Sequence, residues 1–341
     1  MKYRMILSAL LIAFFASACG GGESKTVAPA EEEPVAIHPL TGVELPEGRP
    51  ENAVFVVKVD NTNPAAPQIG LDQADIVVEQ LVEGGITRLA VLYYSNLPTE
   101  IGHVRSLRKT DIGIALPVKA HVVASGGSHP SMKALDKADV PMHMEGRSVG
   151  FSLDNEKPGT RLYRVLVNLK EISDEVGPQP VEGNYFEFGE GISNLLAASA
   201  DDASASPSPS LLMQPASKVE IKYAPSTTRK FGFAGGAWSR TNGVATKGQD
   251  FQADNLLVIK AKVEDAGYRD VTGAFVPETV FAGTGEAWLF EGGQYVKAIW
   301  TKADRGGVLS LATEDGQPIG LRPGRTWIAL IPDDVGSVKV N

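Results

Sequence analysis

A chain of 341 residues, 43% of them apolar, is long enough to bury a substantial core and falls in the size range of two domains. Its 32 Lys and Arg stand against 41 Asp and Glu, a formal net charge of -9. That balance argues against the broad basic face that nucleic acid requires.

At the N-terminus, Lys2 and Arg4 precede the apolar run "MILSALLIAFFA", and "ASAC" then sets small residues before Cys19. This is the pattern of a secretory leader over residues 1–19. "ASAC" resembles a bacterial lipobox, with Ala16 where leucine is usual, which makes Cys19 the expected lipid attachment point. Residues 20–37, "GGGESKTVAPAEEEPVAI", are rich in Gly, Pro and Glu and read as a solvated tether. The expected location is therefore the outer face of the cell membrane, with the chain held by its N-terminal lipid.

Residues 38–196 read as a mixed α/β domain around a central sheet. "AVFVVKVD", "DIVVEQLV" and "TRLAVLYY" are short runs rich in β-branched and aromatic residues, bounded by turn formers, and predict strands. "SLRKTDIGIAL" and "SHPSMKALDKA" predict helices, the first capped by Ser106 and the second by Ser128 or Ser131, with "HVVASGG" a strand between them. A Ser/Ala/Pro-rich segment, 197–214, reads as a linker. Residues 215–341 read as a smaller, mainly β domain, in which "EGG" between "AWLF" and "QYVKAIW" signals a hairpin. The expected fold class is α+β.

The stretch "EGGITR", Glu83 to Arg88, joins two apolar runs. A two-residue Gly84-Gly85 loop would pair Glu83 with Ile86, Leu81 with Arg88 and Glu79 with Ala90, which puts Arg88 on one face with Glu79 and Glu83. Downstream, "IGHVRSLRK" places Arg105 and Arg108 three apart at an expected helix start, where they could hold a carboxylate or phosphate. "SGGSHP" adds Ser128 and a glycine turn able to present backbone N–H groups to an anion. Glu79, Glu83, Arg88, Arg105, Arg108 and Ser128 are thus the candidate ligand-binding set. Each has a plainer reading as well: arginine forks pair readily with carboxylates inside a domain.

Catalytic patterns are weak. "SLRK" has the S-x-x-K form without its K-T-G or S-D-N companions, and "SGGSHP" is not G-x-S-x-G. The five histidines show no i, i+4 pair and there is one cysteine, so neither a metal nor a cofactor is expected. The favoured reading is a non-catalytic binding protein whose partners are the membrane and cell-wall glycan or the enzymes that build or trim it. The alternative is a hydrolase or lyase acting on an envelope polymer through Glu79 or Glu83, with Arg105 or Arg108 steadying charge.

Taken together, "HPLTG", "GLDQADIVVEQLVEGGITR", "IGHVRSLR", "GGS" and "PGRTWI" resemble the YerB-like lipoproteins, the family of domain of unknown function 3048, over about His38 to Pro332. The resemblance implies a bacterial envelope lipoprotein with N- and C-terminal domains; it supplies no activity. Where the family carries histidines, this sequence has Val167 and Ala124, and a histidine expected near "NGVATKGQD" is also missing. Those departures favour binding over hydrolysis.

Overall fold

The computed structural model describes residues 35–193, Leu195 and 213–341. The leader with Cys19, residues 20–34 of the tether and most of the 197–214 segment lie outside the described residues. The tether expected to run to residue 37 stops earlier, because Ala36–Ile37 already pairs with Glu44–Leu45.

The first half supplies β1 (Phe55–Asp60), β2 (Ile76–Leu81), β3 (Thr87–Tyr93), β4 (His121–Ala124) and β5 (Met142–Met144). The second supplies β6 (Lys218–Ala224), β7 (Thr227–Ala234), β8 (Ala237–Arg240), β9 (Asn255–Ala261) and β10 (Gly283–Glu291). It continues with β11 (Gln294–Lys302), β12 (Ser310–Ala312), β13 (Pro318–Ile319), β14 (Thr326–Pro332) and β15 (Ser337–Val340). Three α-helices are described: α1 (Asp111–Ala115), α2 (His129–Lys137) and α3 (Leu169–Val176). The chain is sheet-rich, with helices fewer and shorter than the expected α/β first half implied.

One sheet runs through both halves, in the order β13-β12-β11-β10-β9-β14-β2-β3-β1-β4-β5, with Gln214–Pro215 added against β11. The halves meet where β14 lies between β9 and β2, parallel to both. Strands at this seam are apolar on both faces, as expected for parallel strands covered on each side. On one face Val56, Val78, Ala90 and Leu92 pack with Ile112, Ile114 and Leu135 of the helices. On the other, Val57, Val59, Leu89 and Val91 pack with Val219, Ile221, Phe231 and Trp238 of a four-stranded sheet ordered β8-β7-β6-β15.

Of the two expected helix starts, the first is corrected and the second holds. Ser106 does not start a helix: Val104, Arg105 and Leu107 donate their N–H groups to Val165, Lys58 and Gly126, so the segment runs extended between its neighbours. The helix begins at Asp111. The second helix does follow Ser128, whose Oγ accepts from Ser131 N at 3.3 Å.

Candidate functional site

The hairpin register differs by one residue from the expected one. Glu79 lies opposite Leu89, Gln80 opposite Arg88 and Leu81 opposite Thr87. Val82 N donates to Ile86 O, leaving a three-residue loop, Glu83-Gly84-Gly85, with both glycines at positive φ. Because side chains alternate along a strand, this one-residue step sends Glu79 and Arg88 to opposite faces. The expected grouping of Arg88 with Glu79 is therefore wrong, and Glu79 and Glu83 cannot act as a pair on one bond.

Glu79 faces the four-stranded sheet and is fully buried. Its Oε1 accepts from Asn61 Nδ2 (2.8 Å), Thr87 Oγ1 (2.6 Å) and Arg229 Nε (2.7 Å), while Arg240 Nη1 donates to Asn61 Oδ1 (2.6 Å). These bonds tie β1–β3 to β7 and β8 and give Glu79 a structural place.

Arg88 faces the helices, with its guanidinium buried beside β1. Among the described residues, four cations gather here with three carboxylates at pairing distance, and the exposed Asp270 carboxyl is near enough to feel the charge of Arg108. Lys58 Nζ donates to Asp111 Oδ1 at 2.6 Å, Arg105 Nε lies 2.7 Å from Asp60 Oδ2, and Arg108 holds Glu83 through two guanidinium nitrogens. That leaves Arg88 with the Ser106 carbonyl at 2.9 Å and a distant share of Glu83 at 3.9 Å. Burial, then the charge of Arg108, pushes the Arg88 guanidinium down to about 9. Burial alone would raise the Glu83 carboxyl, but the hydrogen bond and charge of Arg108 hold it below the ordinary value.

The structure thus brings Glu83, Arg88, Arg105 and Arg108 to one end of the sheet and separates Glu79 from them. Ser128 stands at the start of α2, on a loop tied to the arginine segment by Ser125 N to Arg105 O (3.2 Å) and Leu107 N to Gly126 O (2.9 Å). Among the described residues no three His, Asp or Glu converge as a metal-holding set, and no helix is long and apolar enough to cross a membrane.

At the other end of β3, three of the quoted stretches meet: His38 and Thr41 of "HPLTG", Asp72 and Asp75 of "GLDQAD", and Arg325 of "PGRT" line one cavity of about 420 Å³. His38, Ser95 and Asp75 are hydrogen-bonded there, but not as a nucleophile and its base. The His38 Nδ1 accepts from Leu40 N and Thr41 N, both at 3.1 Å, which puts the ring proton on Nε2, 2.8 Å from Ser95 Oγ. Ser95 Oγ in turn donates to Asp75 Oδ1, whose other oxygen accepts from Tyr94 N and Ser95 N. An imidazole whose protonated nitrogen faces the serine cannot take the serine's proton. Burial, opposed by the charge of Asp75, keeps His38 below its ordinary value, consistent with a neutral ring. Nothing local in the sequence joins these stretches, because Asp75 meets Ser95 only across the hairpin and Arg325 arrives from the far half of the chain.

With these features in place, comparison with known proteins gives the class. Residues 40–179 match the family described as "Protein of unknown function (DUF3048) N-terminal domain" and residues 219–328 match its C-terminal domain, and the chain belongs to this family. A relative in Bacillus subtilis, named "Putative lipoprotein YerB", is 26% identical over 319 residues, covering 88% of each chain. The crystal structure of the YerB protein from Bacillus subtilis has the same fold, with a TM-score of 0.68 at 21% identity over 89% of this chain and 99% of that one.

Proposed function

We propose that this chain is a non-catalytic binding lipoprotein, held through Cys19 at the outer face of the cytoplasmic membrane, whose arginine face receives an acidic group of a cell-wall polymer or of an enzyme that works on one. The anchor is supported by the lipobox-like "ASAC" and by the name of the Bacillus relative. The observation that carries the binding role is the charge imbalance at the end of the sheet, where Arg88 lacks a close carboxylate of its own. An incoming anion would supply the missing charge, and the start of α2 beside Arg105 and Ser106 favours the same sign.

The accessible member of the set is Arg105, with 17% of its side chain exposed, against 4% for Arg88. Arg105→Gln should therefore cut recovery of the protein on isolated cell-wall material at least fivefold; because it also leaves the buried Asp60 unpaired and lowers the unfolding midpoint, recovery is compared at a temperature where circular dichroism shows both proteins folded. Equal recovery of the variant and the parent would reject this face as the contact. Metabolic labelling with a fatty acid should mark the parent and not Cys19→Ser; equal labelling would reject the anchor.

A further inference from the structure

Helix α2 and β5, the last strand of the central sheet beyond β4, together line a cavity of about 390 Å³. From α2, His129, Met132 and Asp136 lie at i, i+3 and i+7, which is one face of a helix. From β5, Met142 and Met144 are two apart and share one face of the strand. That face is fixed by their partners on β4, Val122 and Ala124, which join Leu135 of α2 in the core. His143, between the two methionines, points the other way, where its Nε2 lies 2.9 Å from His121 Nδ1. The alternation thus sends both strand thioethers, and not the strand imidazole, toward α2.

Three of the six methionines of the chain meet at this one cavity; the others are Met1, Met5 and Met213. Met144 is 8% exposed and forms its floor, Met132 and Met142 are partly buried against the core, and His129 is exposed at its mouth. In a closed core methionine serves as a gap filler, and leucine would do nearly as well. Here the thioethers border open space beside an imidazole, and their three rotatable bonds let each sulfur swing inward.

The charges at the cavity exclude most occupants of a metal site. Lys133 and Arg147 stand against a single carboxylate, Asp136. Hard cations such as Ca²⁺ and Mg²⁺ need several anionic oxygens, and Zn²⁺ takes thiolate, imidazole or carboxylate ligands. A thioether is neutral and polarisable, and it selects Cu(I). The pattern of histidines and carboxylates gives no sign of such a site, because most of its ligands are methionines.

We propose that this cavity binds Cu(I) through the sulfurs of Met132, Met142 and Met144, with the His129 imidazole closing the set. No side chain of the arginine face takes part.

Cys19 carries the one thiol of the chain and would compete for the metal, so the test uses the full chain with Cys19→Ser, in detergent micelles and without oxygen. Cu(I) is titrated in competition with a chromophoric Cu(I) chelator. The protein is expected to withdraw one equivalent of Cu(I) from the chelator. Met142→Leu combined with Met144→Leu keeps the apolar volume and removes two sulfurs, and should weaken Cu(I) binding at least a hundredfold. His129→Ala changes an exposed residue and should weaken it at least tenfold, while Met213→Leu, outside the cavity, should leave it unchanged. X-ray absorption at the copper edge should show sulfur bound to the metal in the parent and lose that signal in the double variant, with circular dichroism confirming the fold of each protein. Failure of the parent to withdraw Cu(I), unchanged affinity in the double variant or in His129→Ala, or Zn²⁺ bound as tightly as Cu(I) would overturn the assignment.

Discussion

Glu79 and Arg88 look alike in the sequence, as charged residues in apolar runs, yet the fold gives them different environments. Glu79 has three hydrogen-bond donors on one oxygen and neutralises arginines that approach from β7 and β8. Arg88 is the surplus cation of a cluster in which Glu83 already belongs to Arg108. Removing a buried carboxylate that two arginines share leaves them uncompensated, whereas replacing a surplus cation by an apolar side chain of similar size does not. Glu79→Gln should therefore lower the urea-unfolding stability by about 3 kcal/mol, and Arg88→Met by less than about 1 kcal/mol. The reverse order would mean that Arg88, not Glu79, is the charge its surroundings depend on. Nothing local in the sequence distinguishes the two, because Arg229 and Asn61, the partners that decide the case for Glu79, lie 150 and 18 residues away.

At the scale of the element, the tripeptide Glu-Gly-Gly occurs in two hairpins and makes two different turns. In the β10–β11 hairpin Glu291 pairs with Gln294, so Gly292 and Gly293 alone form the loop, as the sequence suggests. In the β2–β3 hairpin the glutamate joins the loop and the register moves by one. The apolar pattern fixes register only when one face differs from the other, and β2 and β3 are buried on both. Their register is instead set by polar partners from elsewhere: Lys58 and Asp111 around Gln80 on one face, Asn61 and Arg229 around Thr87 on the other. Strand positions were thus readable in the sequence, and the pairing of charged residues was not. Both loop glycines hold φ values near +70°, but a Cβ on Gly84 would meet nothing within 4 Å, while one on Gly85 would lie 3.4 Å from Ala224 Cβ. Gly84→Ala should cost about 1 kcal/mol from backbone conformation alone. Gly85→Val should cost more, about 2 kcal/mol, because β-branching adds crowding to the same strain. Thermal unfolding of the two variants measures the difference; equal costs would mean that the contact with Ala224 yields freely.

For the molecule as a whole, the composition shift along the sequence suggests two domains, and the family match also comes in two parts, yet the central sheet passes through both. β14 is buried along its whole length between β9 of its own half and β2 of the other. A period-2 or apolar-run pattern reveals that Thr326–Pro332 is a strand but says nothing of which neighbour it takes, since a fully apolar strand accepts either. The consequence is testable by dividing the chain in the Ser/Ala/Pro-rich segment after removal of the leader. The first fragment alone would present the open edge of β2 and leave Glu79 without Arg229; the second would lose the partner on one side of β14. An unpaired, flat, apolar edge is prone to aggregate, so each fragment is expected to be insoluble or unfolded alone. The two expressed together should assemble into a soluble pair, and the intact chain should unfold in one cooperative urea transition by both fluorescence and circular dichroism. Two separate transitions, or a first fragment that is monomeric and cooperatively folded by itself, would show that the β2–β14 seam joins two self-sufficient bodies. The arginine face rests on strands of the first half alone, while the cavity with Arg325 needs both. A folded first fragment would then keep the arginine face and lose the cavity, so recovery of the same preparation on isolated cell-wall material separates the seam's role in folding from any role in building that face.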